Sequence, residues 1–149
     1  MNTVGPPWPE WSSSPASLAP GSGEQAVAQA LEWLEAQGAQ RGWPAKALFA
    51  LTLCADEALV NTTSYARRAD GQPAQIHLHC GETPGGIALR IEDDGTAFDP
   101  TQQESPQLAT SLDDAQIGGH GLRLMRHYLR HLLYLREGER NVLLLEVAL

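Results

Sequence analysis

The chain has 149 residues, 42% hydrophobic and 19% charged, which suits one domain with a packed core. Its formal net charge of −8 argues against broad binding to a nucleic-acid backbone, which needs clustered Lys and Arg. Two cysteines, Cys54 and Cys80, make neither a disulfide framework nor a four-ligand zinc set, and they read as reduced cytoplasmic thiols.

A small nucleotide stays open, because backbone N–H groups and a metal ion can hold one. The N-terminus shows no basic n-region and no apolar h-region, so no signal peptide is expected. No run approaches the ~18 apolar residues of a membrane span. The expectation is a cytoplasmic protein.

Residues 1–23 are rich in Pro, Ser and Gly and read as a flexible or irregular arm. Trp8 and Trp11 could dock on the body as an irregular edge strand or meet a partner. From Ser22 the pattern becomes helical. Ser22 and Gln25 have capping-box spacing, Val27, Leu31 and Leu34 recur on one face, and Gly38 offers a stop. Pro44 then suits a second helix start, with a helix expected from about Pro44 to Tyr65 or Ala66.

Two strands follow. "AQIHLHC" alternates through Ile76, Leu78 and Cys80, and "GIALRIED" through Ile87, Leu89 and Ile91, with a hairpin turn at "GETPGG". Residues 101–116 are polar and poorly periodic. "GGHGLRLMRHYLRHLLYL" opens on glycines and reads as a helix with Leu122, Met125 and Leu129 on its core side. "VLLLEVAL" reads as a buried strand. The expected class is α+β: a two-layer α/β sandwich, its mostly antiparallel sheet carrying helices on one face.

Three stretches can carry chemistry. Glu57 and Asn61 are four residues apart on one helical face. They form either a solvated stripe or a site where Asn61 holds a metal through oxygen and Glu57 orients or deprotonates a nucleophile. "IEDDGTAFDP" is either an acidic turn or a strand end whose carboxylate accepts a hydrogen bond from an exocyclic amine such as that of adenine. Gly95 there lets backbone approach closely, and Asp93, Gly95 and Ala97 alternate. "GGHGLRLM" either turns the chain or leaves helix N-terminal N–H groups free for a phosphate.

Together, in this order, they resemble the GHKL (Bergerat-fold) ATPases, and within them the anti-sigma-factor serine/threonine kinase group. "DEALVNTTSYA" matches the N-box at Glu57 and Asn61. "IEDDGTAFDP" matches the aspartate box at Asp93, Gly95, Phe98, Asp99 and Pro100. "IGGHGLRLM" and "GERNVLLL" match the glycine box and the last strand. The resemblance covers residues 24–149, a histidine-kinase-like ATP-binding domain.

It implies that Asn61 coordinates Mg²⁺, that Asp93 binds the adenine amine, and that Gly95 and Ala97 shape the pocket floor. It also implies that Gly119, Gly121 and Leu122 lie against the ATP phosphates, that residues 101–118 form a lid, and that Glu57 is the general base. The implied activity is an ATP-dependent protein serine/threonine kinase of a bacterial partner-switching system, acting as an anti-sigma or similar factor. Its substrate would be a STAS-type antagonist protein, and a sigma factor or other regulator a second partner. Homodimers are frequent in the group.

Tyr65 stands where the group often has His, and Ala97 where it has Gly or Pro. A nucleotide-binding module that regulates a partner by contact alone is therefore the alternative, and a detached histidine-kinase ATPase domain a third reading. His77 with His79, and His127 with His131 at i,i+4 on the last helix, are incomplete ligand sets for a transition metal. Arg67 and Arg68, and Arg123, Arg126 and Arg130, read as solvated faces, with Arg123 or Arg126 able to reach a phosphate. Glu92 and Asp94 read as solvated, and Asp99 as the turn into the lid.

Overall fold

The computed structural model describes residues 11–13, 23–102 and 120–149. Among these residues three helices, α1 (Gly23–Arg41), α2 (Ala45–Tyr65) and α3 (His120–Tyr128), pack on a five-stranded antiparallel sheet. The strands are β1 (Ser12–Ser13), β2 (Ile76–Thr83), β3 (Gly86–Asp93), β4 (His131–Glu137) and β5 (Arg140–Ala148), in spatial order β1-β2-β3-β5-β4. This is the expected α+β sandwich.

The core lies between the layers. Leu34 of α1, Leu51, Cys54 and Leu59 of α2, and Met125 of α3 bury their side chains on Leu78, Leu89, Ile91 and Leu145 of the sheet. Full burial of each large aliphatic side chain is worth roughly 1.5–3 kcal/mol before entropy is counted. Both cysteines are free and buried, and burial pushes their thiols up, Cys54 to about 12 and Cys80 to about 11. They are inert packing groups.

Gly38 does not end α1. It sits inside the helix, where a Cβ would come within 2.6 Å of the Leu48 side chain, so its role is close approach of α1 to α2. The helix stops at Gly42, which takes φ +70°. Trp43 N–H donates to Gly38 O and Gly42 N–H to Ala39 O, the paired bonds of a Schellman ending. Glu82 of β2 then accepts from Trp43 Nε1 (2.7 Å) and Arg41 Nη1 (3.0 Å), fixing this corner to the sheet.

The "RHLLYL" segment departs from the helical reading. Helix α3 ends at Tyr128, and His131–Glu137 form the edge strand β4. Arg130 N–H donates to Glu146 O, and the chain runs out along β5, turning back at Gly138 with φ +61°. Period-2 alternation of Leu132, Tyr134 and Arg136 against Leu133 and Leu135 wins once β5 offers a ladder. His127 and His131 are therefore not on one helix. His127 stacks edge-on against Tyr128, and His131 Nδ1 lies 2.6 Å from Glu146 Oε1.

The N-terminal arm contributes Ser12–Ser13 as a short edge strand opposite Cys80 and His79. Trp8, Ser22 of the capping box, Gly119, most of the 101–118 segment and the Ser111–Asp114 turn lie outside the described residues.

Candidate functional site: a cleft between α2, α3 and the sheet

Strand order places the site. Because β5 lies beside β3, the end of one meets the start of the other, and Asp93 pairs with Asn141 across the ladder. Both are buried, at 8% and 6% exposure. Asn141 Nδ2 donates to Asp93 Oδ1 at 2.9 Å and to Thr96 O at 2.9 Å. Its Oδ1 accepts from Tyr134 OH (2.6 Å), Arg136 Nη1 (3.1 Å) and Phe98 N–H (3.2 Å). Gly95 N–H also donates to Asp93 Oδ1 at 2.9 Å.

Among the described residues both of these bonds fall on Oδ1, so Oδ2 keeps its acceptor capacity. Burial holds the Asp93 carboxyl above the ordinary aspartate range, against the pull of the Asn141 and Gly95 hydrogen bonds. Asp93 lines a narrow cleft of about 30 Å³. Ala58, Ile91, Met125 and Leu143 make apolar walls, and Asn61 lies on the rim side of α2. A mostly apolar slot with one buried acceptor and one amide is suited to a flat heteroaromatic ring carrying an amine.

Every expected site residue except Gly119 falls among the described residues. Asn61 lines the cleft, half-buried. Glu57 lies one turn earlier on α2, half-buried and outside the cleft lining. Gly95 is buried, but the close approach it permits is to Asp93 Oδ1 (3.0 Å) and the Arg67 backbone (3.1 Å), which a Cβ would crowd. Thr96 N–H donates to Arg67 O at 2.8 Å, and Arg136 Nη1 donates to Gly95 O at 2.8 Å.

Ala97 is exposed and does not line the cleft, where Phe98 does. Leu122 is a core residue at 4% exposure. Gly121 falls in the first turn of α3, and Gly119 is outside the described residues.

Neighbouring charges differ from the expected pattern. Glu92 is buried and engaged by Arg90 Nε (2.6 Å), Arg140 Nη1 (2.9 Å) and His79 (3.3 Å). Asp94 accepts from Arg68 Nη2 (2.8 Å) and Gln75 N–H (2.8 Å), so its carboxyl is held below the ordinary range, chiefly by Arg68. Neither is merely solvated. Asp99 does turn the chain: its Oδ1 accepts from Thr101 N–H (2.8 Å) and Oγ1 (2.6 Å) at the 3₁₀ turn Pro100–Gln102. Arg126 Nη2 donates to Thr101 O at 2.9 Å, tying α3 to that turn. No group of three or more His, Cys, Asp or Glu that could hold a metal occurs among the described residues.

Asn141, Tyr134 and Arg136 carry no assigned role in the sequence reading. Asn141 was visible as the Asn of the last-strand motif, but its partners became apparent only with the β3–β5 pairing.

Two comparisons with known proteins give the family. The profile of the histidine kinase-like ATPase domain matches residues 22–147. Serine/threonine-protein kinase BtrW of Bordetella bronchiseptica is 53% identical over 116 residues, which cover 78% of this chain and 81% of that protein. The chain belongs to the histidine kinase-like ATPase domain family. Family membership implies ATP as the nucleotide. No helix among the described residues is long and apolar enough to cross a membrane.

Proposed function

We propose that the chain is an ATP- and Mg²⁺-dependent protein serine/threonine kinase of a bacterial partner-switching system. Its substrate would be a STAS-type antagonist protein, and its second partner a sigma factor or comparable regulator. Residues 24–149 would form the working domain, with 1–23 as an arm, in a cytoplasmic protein.

The observation that carries this reading is the placement of α2. Asn61 enters the cleft that ends at Asp93, while Glu57, one turn away, stays outside it. A nucleotide-facing amide and an outward carboxylate on one helix suit a transfer from the cleft to an external acceptor. The similarity to a protein named a serine/threonine kinase supports the same direction.

Asp93 Oδ2 would accept from the adenine amine, with Asn141 and Gly95 fixing the carboxylate's orientation. Asn61 would hold Mg²⁺ through its amide oxygen, a hard donor of the kind that ion takes. ATP supplies the phosphoryl group when bound, and transfer depends on positioning and charge neutralisation more than on covalent help. Glu57 would accept the proton of the partner's hydroxyl. The N-terminal turn of α3, with Gly119 and Gly121, would face the phosphates.

Incubation with labelled ATP and a STAS-type protein tests the reading. Wild type should label the partner, and Glu57→Gln should retain nucleotide yet transfer at least ~10²-fold more slowly, the lower range for loss of a general base. Equal labelling by both proteins rejects the base role. Regulation by contact alone predicts partner binding without label.

A further inference from the structure

Glu57 stands at the border of an apolar stripe that the nucleotide cleft does not use. At about 100° per residue around a helix, Phe49, Leu53, Asp56 and Val60 fall within roughly 60° of one another on α2. Glu57 lies at their edge, on the side toward Asn61. Phe49 is 63% exposed and Val60 44%, while Leu53 is half-buried. The only cation of this helix, Lys46, lies at its N-terminal end, beyond Phe49.

Val60 also walls a groove between α1 and α2, together with Val27, Ala28 and Leu31. Its volume is about 430 Å³. The charged groups lining it among the described residues are Glu24 and Asp56, both acidic. An exposed aromatic ring beside an apolar groove rimmed by one sign of charge is the composition of a contact surface.

We propose that the stripe and groove are the docking surface for the protein that carries the acceptor hydroxyl, which presents an apolar segment flanked by Lys or Arg. The proposal rests on the phosphotransfer reading for its choice of occupant. A general base works only within about 3 Å of the hydroxyl it serves. A folded protein brought that close to Glu57 must also cover the adjoining turns of α2. Val60 is three residues beyond Glu57 and Leu53 four before it, about 4.5 and 6 Å along the axis. Side chains there touch any acceptor that reaches Glu57. The acidic rim selects a basic flank, and water is displaced from Phe49 and Val60 on docking.

The test uses the full chain with ADP and Mg²⁺, and a STAS-type protein as probe. Its affinity is measured by calorimetry for wild type, Phe49→Ala, Val60→Asp and Asp56→Lys. These side chains are at least partly exposed, so the fold should survive, and unchanged ADP affinity verifies it. Val60→Asp and Asp56→Lys should each weaken the probe at least tenfold. In transfer assays they should raise KM for the probe with kcat little changed.

Wild-type transfer with all three variants equal to it overturns the docking surface and leaves the kinase reading standing. Binding weakened by the variants without any transfer upholds the surface and overturns the kinase reading. If the wild type neither binds nor labels the probe, both fall. If the variants change only the sedimentation of the chain alone, the groove is a self-interface and the proposal is wrong.

Discussion

Asn141 holds Asp93 in place: its Nδ2 lies 2.9 Å from Asp93 Oδ1, across the ladder that pairs the end of β3 with the start of β5. The same amide ties down Thr96 O, Phe98 N–H, Tyr134 OH and Arg136. One side chain therefore fixes both the carboxylate and the loop that leaves it.

Asn141→Ala should strip these partners at once. Leaving buried polar groups unsatisfied costs roughly 1–3 kcal/mol each where water cannot replace the bond. A urea titration should show a loss of about 2–4 kcal/mol on that basis. ATP affinity should fall at least tenfold, because Asp93 can rotate. Affinity equal to wild type in a variant that remains folded would show that Asn141 does not position Asp93.

Asp93 also predicts a pH dependence. Its carboxyl sits above the ordinary aspartate range because it is buried. The folded chain therefore holds this proton more tightly than the unfolded chain. This makes Asp93 an unfavourable contribution that grows as pH rises through the window between the two values. An amine donor needs the charged form, so nucleotide affinity should fall as pH drops into that raised range. Binding there should take up no proton and release one, which calorimetry in buffers of different ionisation enthalpy would detect. Affinity that stays flat until the ordinary aspartate value, 3.8, argues against Asp93 as the acceptor.

Much of this was legible in the sequence, for identifiable reasons. Helix α2 shows because Gly and Pro are absent from Ala45 to Tyr65, and β2 and β3 because their alternation is clean. Local spacing made Glu57, Asn61 and Asp93 candidates, and the order of the three stretches, with the resemblance it carries, assigned their roles. Strand β4 was misread because "HLLYL" is an apolar run of the kind that fits either period, and only the ladder with β5 decides. The burial of Glu92 and the network around Asn141 depend on cross-strand partners 48 residues away, which no local pattern encodes. Gly38 shows the limit of the stop rule, since close helix packing demands glycine as firmly as a helix end does.

Asn61 separates metal binding from stability. It is half-buried and lines the cleft, and no hydrogen bond joins its side chain to another described residue. Asn61→Ala should therefore remove most nucleotide affinity in Mg²⁺ while shifting stability by less than ~1 kcal/mol, as for changes away from a buried network. Chelation with EDTA should bring wild type and variant to similar affinity. A variant that binds ATP–Mg²⁺ as tightly as wild type would overturn the metal assignment.

Glu146 predicts the acid limit of the fold. It is fully buried on β5 and accepts from Arg130 Nε (2.9 Å) and Nη2 (2.8 Å), from the Thr83 hydroxyl, and lies against His131 Nδ1. Burial alone would raise its pKa, but the Arg130, Thr83 and His131 hydrogen bonds prevail and pull it down to about 2. A carboxyl depressed on folding stabilises the native state above its unfolded value and loses that contribution as pH falls through the folded one. The downward shift from 4.5 to about 2 makes Glu146 a stabilising contribution at neutral pH. Glu146→Gln should lose much of it at pH 7 by urea unfolding, with the gap to wild type closing as pH falls from about 4.5 toward 2. Parallel stability curves across that acid range would mean that the depressed Glu146 carboxyl does not contribute to the stability of the fold.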